Sequence, residues 1–226
     1  MKVPATRFAT LFFGLCLFAV NCTTTTTGVD PGGSEITNGK IITMTDMPAT
    51  DIEVSAYPVG YIAGRWSTSR VITTHTDNTG GFTLAIDSGL YNLYIADSAS
   101  GSGCLVRDVG PKQSLGTIRL DSLGAIEGII HLDSANAVSV LIVFSTGTPL
   151  RIDMLSTEEI FRFDRVPDGS YSLSIAKKPP VGCTPGIDCL PGGTDTPVDI
   201  HDISVSSGET VTVDTLLQVS TIGELP

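Results

Sequence analysis

Three histidines, His75, His131 and His201, are the side chains best suited to move a proton or ligate a metal near neutral pH. Each falls in a different expected strand, and none has a second His or a Cys at metal-ligand spacing. Neither H-E-x-x-H nor G-x-S-x-G occurs. Gly101-Ser102-Gly103 is a fragment of a nucleophile turn, but it lacks the first glycine and a strand-to-helix context, so it reads as a flexible hairpin loop. Asp195, Asp199, His201 and Asp202 have the chemistry of a cation site. Along a strand, however, Asp199 and His201 share one face while Asp202 points to the other, which suits an exposed strand face better than a metal. The expectation is a chain that is not an enzyme, with no catalytic residue, no metal and no cofactor.

The elements that carry these residues are strands. Aromatic residues make up 6% and charged residues 16% of the 226, while Gly, Thr, Ser, Val and Ile abound, a composition of short strands and turns. From Ile36 onward apolar residues fall at alternate positions, as in Ile52, Val54 and Ala56, or Phe82, Leu84 and Ile86. Strands are expected over 38–44, 51–57, 69–76, 81–86, 90–96, 104–109 and 116–121. A second set is expected over 125–132, 137–144, 149–153, 159–166, 170–176, 198–205 and 210–217. The second set reads as a diverged copy of the first. Gly89-Leu90-Tyr91-Asn92-Leu93 recurs as Gly169-Ser170-Tyr171-Ser172-Leu173, a Phe strand (Phe82, then Phe161 and Phe163) precedes each, and each copy opens with a glycine inside a strand, Gly39 and Gly128. Two domains are therefore expected, 36–122 and 124–218.

Upstream, Lys2 and Arg7 precede an uncharged apolar run from Phe8 to Val20, the pattern of a secretory signal over residues 1–21, too short to span a bilayer as a mature helix. Ala19-Val20-Asn21-Cys22 resembles the lipobox of bacterial lipoproteins, which implies acylation of Cys22. Ordinary cleavage to a soluble secreted protein is the alternative. Residues 22–35, CTTTTTGVDPGGSE, read as a flexible tether. Losing Lys2 and Arg7 with the signal leaves 11 basic against 24 acidic residues, a net charge of −13. Nucleic acid is excluded as a partner, because such binding rests on neutralising phosphates.

Export implies oxidising surroundings. Cys183-Thr-Pro-Gly-Ile-Asp-Cys189 has a turn between its thiols, so Cys183 and Cys189 are expected to pair, with a stabilisation of only about 2 kcal/mol for so short a loop. Cys104 is then left as a small buried apolar side chain. Tyr57, Tyr61 and Trp66 lie within ten residues of a Gly/Pro-rich connection. Two readings stay open for this loop: an exposed platform on which a sugar ring stacks, or rings that anchor the loop on the sandwich edge, with Arg65 stacking on one of them.

Asp77-Asn78-Thr79-Gly80-Gly81-Phe82 followed by Gly89-Leu90-Tyr91 resembles the D-x-x-G-x-F…G-x-Y signature of carboxypeptidase regulatory-like domains. The resemblance covers nearly all of 36–218 and implies two tandem seven-stranded, Greek-key, transthyretin-like β-sandwiches. The second copy departs at Ser156-Thr157-Glu158-Glu159, which lacks both Asp and Gly. The family name describes an accessory sandwich attached to some peptidases, and no peptidase domain is present. The expected role is that of a non-catalytic cell-envelope lipoprotein, a structural, adhesive or binding module with a membrane, a polysaccharide or another envelope protein as partner. A carbohydrate-binding module using residues 57–66 and an accessory subunit of an exported enzyme are the alternatives.

Overall fold

The computed structural model describes residues 36–64, 71–132, 140–155, 160–177 and 197–217. The expected signal, the tether with Cys22, Trp66, Cys183, Cys189, Asp195 and the 156–159 turn lie outside the described residues, as do the side chains of His201 and Asp202.

The described residues form strands and no helix. The first half contains β1 (Ile36–Ile42), β2 (Glu53–Pro58), β3 (Ile72–His75), β4 (Gly81–Ala85), β5 (Tyr91–Asp97), β6 (Ser102–Val109), β7 (Ser114–Arg119) and the two-residue β8 (Asp121–Ser122). The second contains β9 (Gly124–Leu132), β10 (Val140–Phe144), β11 (Arg151–Leu155), β12 (Ile160–Val166), β13 (Gly169–Lys177), β14 (Val198–Val205) and β15 (Thr210–Leu217). The sheets run β4-β1-β7 and β3-β2-β5-β6-β8 in the first half, and β12-β9-β15 and β11-β10-β13-β14 in the second. With β8 set aside, the two halves match strand for strand, so the sequence repeat is a repeat of topology. Each half buries the inward rows of its two sheets against each other, as a sandwich must. Ile41, Phe82 and Ile118 from one sheet meet Val54, Leu93 and Val109 from the other, and in the second half Ile126 and Phe161 meet Val143, Leu173 and Ile203.

The register ties two features of the sequence into one device. Gly39 pairs with Phe82 and Gly128 with Phe161. A Cβ on Gly39 would lie 2.8 Å from the Phe82 ring, and one on Gly128 would run closer still into the Phe161 ring. Each phenylalanine therefore lies over the glycine of the neighbouring strand and fills the space a side chain would take.

The Asp77 turn shows why its motif needs these residue types. Asp77 Oδ1 accepts from the Thr79 amide at 2.7 Å, the Thr79 hydroxyl at 2.7 Å and the Gly81 amide at 2.9 Å, and the chain closes with Gly80 N–H donating to Asp77 O at 2.9 Å. The Thr79 hydroxyl, then the amides of Gly81 and Thr79, hold the Asp77 carboxyl below its ordinary value of 3.8. A depressed carboxylate stabilises the fold above the ordinary value and loses that contribution as pH falls through the folded-state value. The stability difference between wild type and Asp77→Ala should thus be open at neutral pH and close in strong acid. Denaturant midpoints measured across that range check it, and a difference that does not narrow in acid is the contrary result.

Two local expectations are corrected. Gly101-Ser102-Gly103 is not a flexible loop: Gly101 takes φ +67°, and Ser102 is buried at the start of β6 with its hydroxyl 2.6 Å from that of Ser100. Cys104 is a free thiol, half-buried rather than fully buried, and packs against the first core. Burial, then Asp121 and Asp168, pushes this thiol up to about 11, so it stays protonated and unreactive near neutrality.

Candidate functional site

The polar and aromatic groups that sequence reading treated separately meet at a seam between the two halves. Tyr57, at the end of β2, is half-buried, with its ring centroid 5.0 Å from that of Tyr61 and 6.4 Å edge-on from that of Tyr94. Tyr61 is 7% exposed and Tyr94 9%. Of the two readings left open for residues 57–66, the burial of Tyr61 inside the seam favours rings that anchor the loop, and Tyr57 presents only part of its ring.

The segment after β2 is a strap laid across the second half. Gly147 N–H donates to Tyr61 O at 2.7 Å, Ile62 and Thr148 form a parallel bridge, and Arg151 Nη1 donates to Ala63 O at 2.6 Å. Ile62 packs with Ile142, Phe144 and Ala176 of the second half. The glycines of this region have a specific use. Gly64 takes φ +74°, and a Cβ there would meet Arg151 Nη1 at 2.6 Å; Gly147 takes φ +73° beside the Asn92 amide.

Asn92 anchors the seam from β5. It is 3% exposed; its Nδ2 donates to Gly147 O at 3.0 Å, and its Oδ1 accepts from the Asp108 amide at 3.3 Å, so both ends of a buried amide are satisfied. Tyr94 donates its hydroxyl to Arg165 O at 3.0 Å, where Arg165 takes φ +60° at a bulge of β12, and Arg165 Nη1 returns to Ser98 Oγ at 2.9 Å. At the other end of the junction Ser122 N–H donates to Ser207 Oγ at 3.1 Å, and Ser122 O accepts from Gly208 N–H at 3.0 Å. Burial raises the Tyr94 phenol, with Tyr57 adding to it, so the Tyr94 donor persists into alkaline solution.

Beside the seam lies an open cleft of about 390 Å³ lined by Arg107, Ser145, Thr146, Ser170, Ser174 and Asp199, with Tyr171 in its floor. Arg107 Nη2 donates to Ser170 O, and its guanidinium stands 5.6 Å from the centre of the Tyr171 ring. Ser174 donates to Asp199 Oδ1 at 2.6 Å. A serine whose neighbour is a carboxylate alone has a poor base for proton removal, whereas a row of hydroxyls between an arginine and an aspartate suits hydrogen bonding to a polar ligand. Asp199 is the one cleft residue that the sequence offered as a ligand, there for a cation. The others had a usable signal: Ser170, Ser172 and Ser174 alternate with the apolar Tyr171, Leu173 and Ile175, so one face of β13 is a row of hydroxyls.

His75 and His131 sit on strands that do not line this cleft. His75 is exposed on β3, and exposed His131 sits with its Nε2 3.3 Å from Asp214 Oδ1 across the β9–β15 pair. No helix among the described residues is long and apolar enough to cross a membrane.

No protein-family model matches the chain, and no curated protein matches it significantly. Among solved structures it is similar to the minor pilin of Streptococcus agalactiae, at 12% identity and a TM-score of 0.33, covering 85% of this chain and 97% of that one. A streptococcal ancillary pilin is 15% identical with a TM-score of 0.30, covering 81% of this chain and 63% of that one. The Bacillus anthracis TIE protein is 8% identical with a TM-score of 0.29, covering 81% of this chain. The chain spans only 33% of that protein's length. Likenesses at such TM-scores carry no argument about this chain's activity.

Proposed function

We propose that this chain is a non-catalytic module of the bacterial cell envelope, exported by its first 21 residues, held to a membrane by lipid on Cys22, and acting as a structural or adhesive spacer. The observation that supports it best is the seam. Tyr61, Asn92, Tyr94 and Ser122 fix one sandwich on the other through hydrogen bonds and shared apolar packing, which makes the two sandwiches one stiff body. The motif resemblance to carboxypeptidase regulatory-like domains fits this reading, since those are accessory sandwiches without catalytic groups. Cys22→Ser should abolish palmitate labelling and move the protein from the membrane to the soluble fraction of cells. Labelling and fractionation that do not change would overturn the lipid anchor.

A second reading, binding of a hydroxylated polymer such as a polysaccharide, is favoured by the cleft rather than by the aromatic strap. Arg107 and Asp199 offer a donor and an acceptor on either side of the β13 hydroxyl row. Retention of the full chain on immobilised polysaccharides, lost in Arg107→Ala and kept in Tyr57→Ala, would support it, and the reverse pattern would return binding to the strap.

A further inference from the structure

We infer that the described body is built to bear tension along the chain, because in both halves, with the two-residue β8 set aside as the link between them, the first and last strands are hydrogen-bonded neighbours that run parallel. The chain enters the first half through β1 and leaves it through β7, and these two pair in parallel from Asn38↔Ser114 to Ile42↔Arg119. It enters the second half through β9 and leaves through β15, paired in parallel without a break from Ala125↔Thr210 to Leu132↔Leu217. A pull on the chain before β1 and after β15 therefore drags the two strands of each pair in opposite directions along their common axis. The ladder is loaded in shear, and its bonds must yield together. Had the first and last strands been antiparallel neighbours, the same pull would have peeled them apart one bond at a time.

The hydrogen bonds at the ladder ends fit this load path. Asn38 N–H donates to Gln113 O at 3.0 Å at one end of the first ladder, and Leu120 N–H to Ile42 O at 2.9 Å at the other. In the second, Ala125 N–H donates to Glu209 O at 2.8 Å. Continuing that slanted parallel pattern makes the amides of Val211, Val213 and Thr215 the ones that face β9, while that of Thr212 faces away. Between the halves the load crosses β8 and Leu123, held by Leu123 N–H to Gly101 O at 3.0 Å and by the Ser122 bonds to residues 207 and 208. On its other edge β9 is tied to β12, where Arg162 bridges Glu127 and Asp164 at 2.6 and 2.7 Å.

This inference deepens the spacer reading, since a spacer held at both ends carries force, and it is tested independently of the lipid. Forced unfolding is governed by the barrier to unfolding rather than by equilibrium stability. The full chain, purified with a handle on each terminus, is stretched in optical tweezers. A second version carries an additional handle inserted in the Ser206–Gly208 turn, which lies at the β15 end adjoining Gly124. Pulling from the N-terminal handle and this inserted one peels β15 from β9, whereas pulling the same inserted protein by its ends shears them. The expected result is a rupture force for the second half several-fold higher in the end-to-end pull than in the peeling pull. Equal forces, or a lower force end to end, would overturn the inference. Val213→Pro removes an amide that faces β9, and Met154→Ala truncates the core on β11, outside the ladder. At matched loss of thermal stability only Val213→Pro should lower the end-to-end rupture force markedly. Equal falls for the two would also count against it, and failure of Val213→Pro to fold leaves the comparison of pulling directions decisive.

Discussion

Replacing Gly80 with alanine should lower stability by about 2–5 kcal/mol, one of the two largest effects expected of a single substitution here. Two costs add at this position. Gly80 takes φ +79°, a left-handed backbone that costs an L side chain about 1–2 kcal/mol. A Cβ there would also run into the carbonyl oxygen of Ile41, which is held in place by its own bond from Ala49 N–H at 3.1 Å. A backbone atom in a ladder cannot swing away as a side-chain tip can, so overpacking of about 1–3 kcal/mol is added. Gly89 separates the two costs: it takes φ +85°, but a Cβ there would meet nothing within 4 Å. Gly89→Ala should therefore cost only the conformational part. Urea unfolding of the two variants checks the order, and equal losses would show that the clash with Ile41 is relieved.

Truncating Tyr94 to alanine should cost about 3–5 kcal/mol, as for other buried aromatic side chains. It removes a ring that packs into the second core from β5 of the first half, and it leaves the Arg165 carbonyl without its donor. Tyr94→Phe keeps the ring and loses only the hydrogen bond, about 1 kcal/mol. Because Tyr94 belongs to both halves, its loss should also uncouple them. Calorimetry of the wild type is expected to show one transition, and that of Tyr94→Ala two. A single transition at an unchanged midpoint would mean that the seam contributes nothing to the cooperativity of unfolding.

The sequence alone determined what is local in this protein. Alternation with period two identified which side of each strand faces inward, so Phe82, Leu84 and Ile86 were legible as core before any partner was known. The Asp77 turn was legible because its bonds span only four residues, and the duplication because both copies keep Gly-x-Tyr after the Phe strand. Tertiary structure alone decided the pairings. A pattern of inward and outward residues has no term for which strand lies alongside, so the parallel closures of β1 on β7 and β9 on β15 could not be read from it. The same limit explains the aromatic strap. Tyr61 follows Pro58 and Gly60, which break a strand and mark a loop, and a loop on one isolated sandwich is exposed. It is buried because the second sandwich supplies Gly147, Thr148 and Arg151 to receive it, and the bond from Arg151 to Ala63 spans 88 residues of chain. The hydroxyl cleft arose in the same way, since Arg107 on β6 meets the serines of β13 only after the two halves have docked.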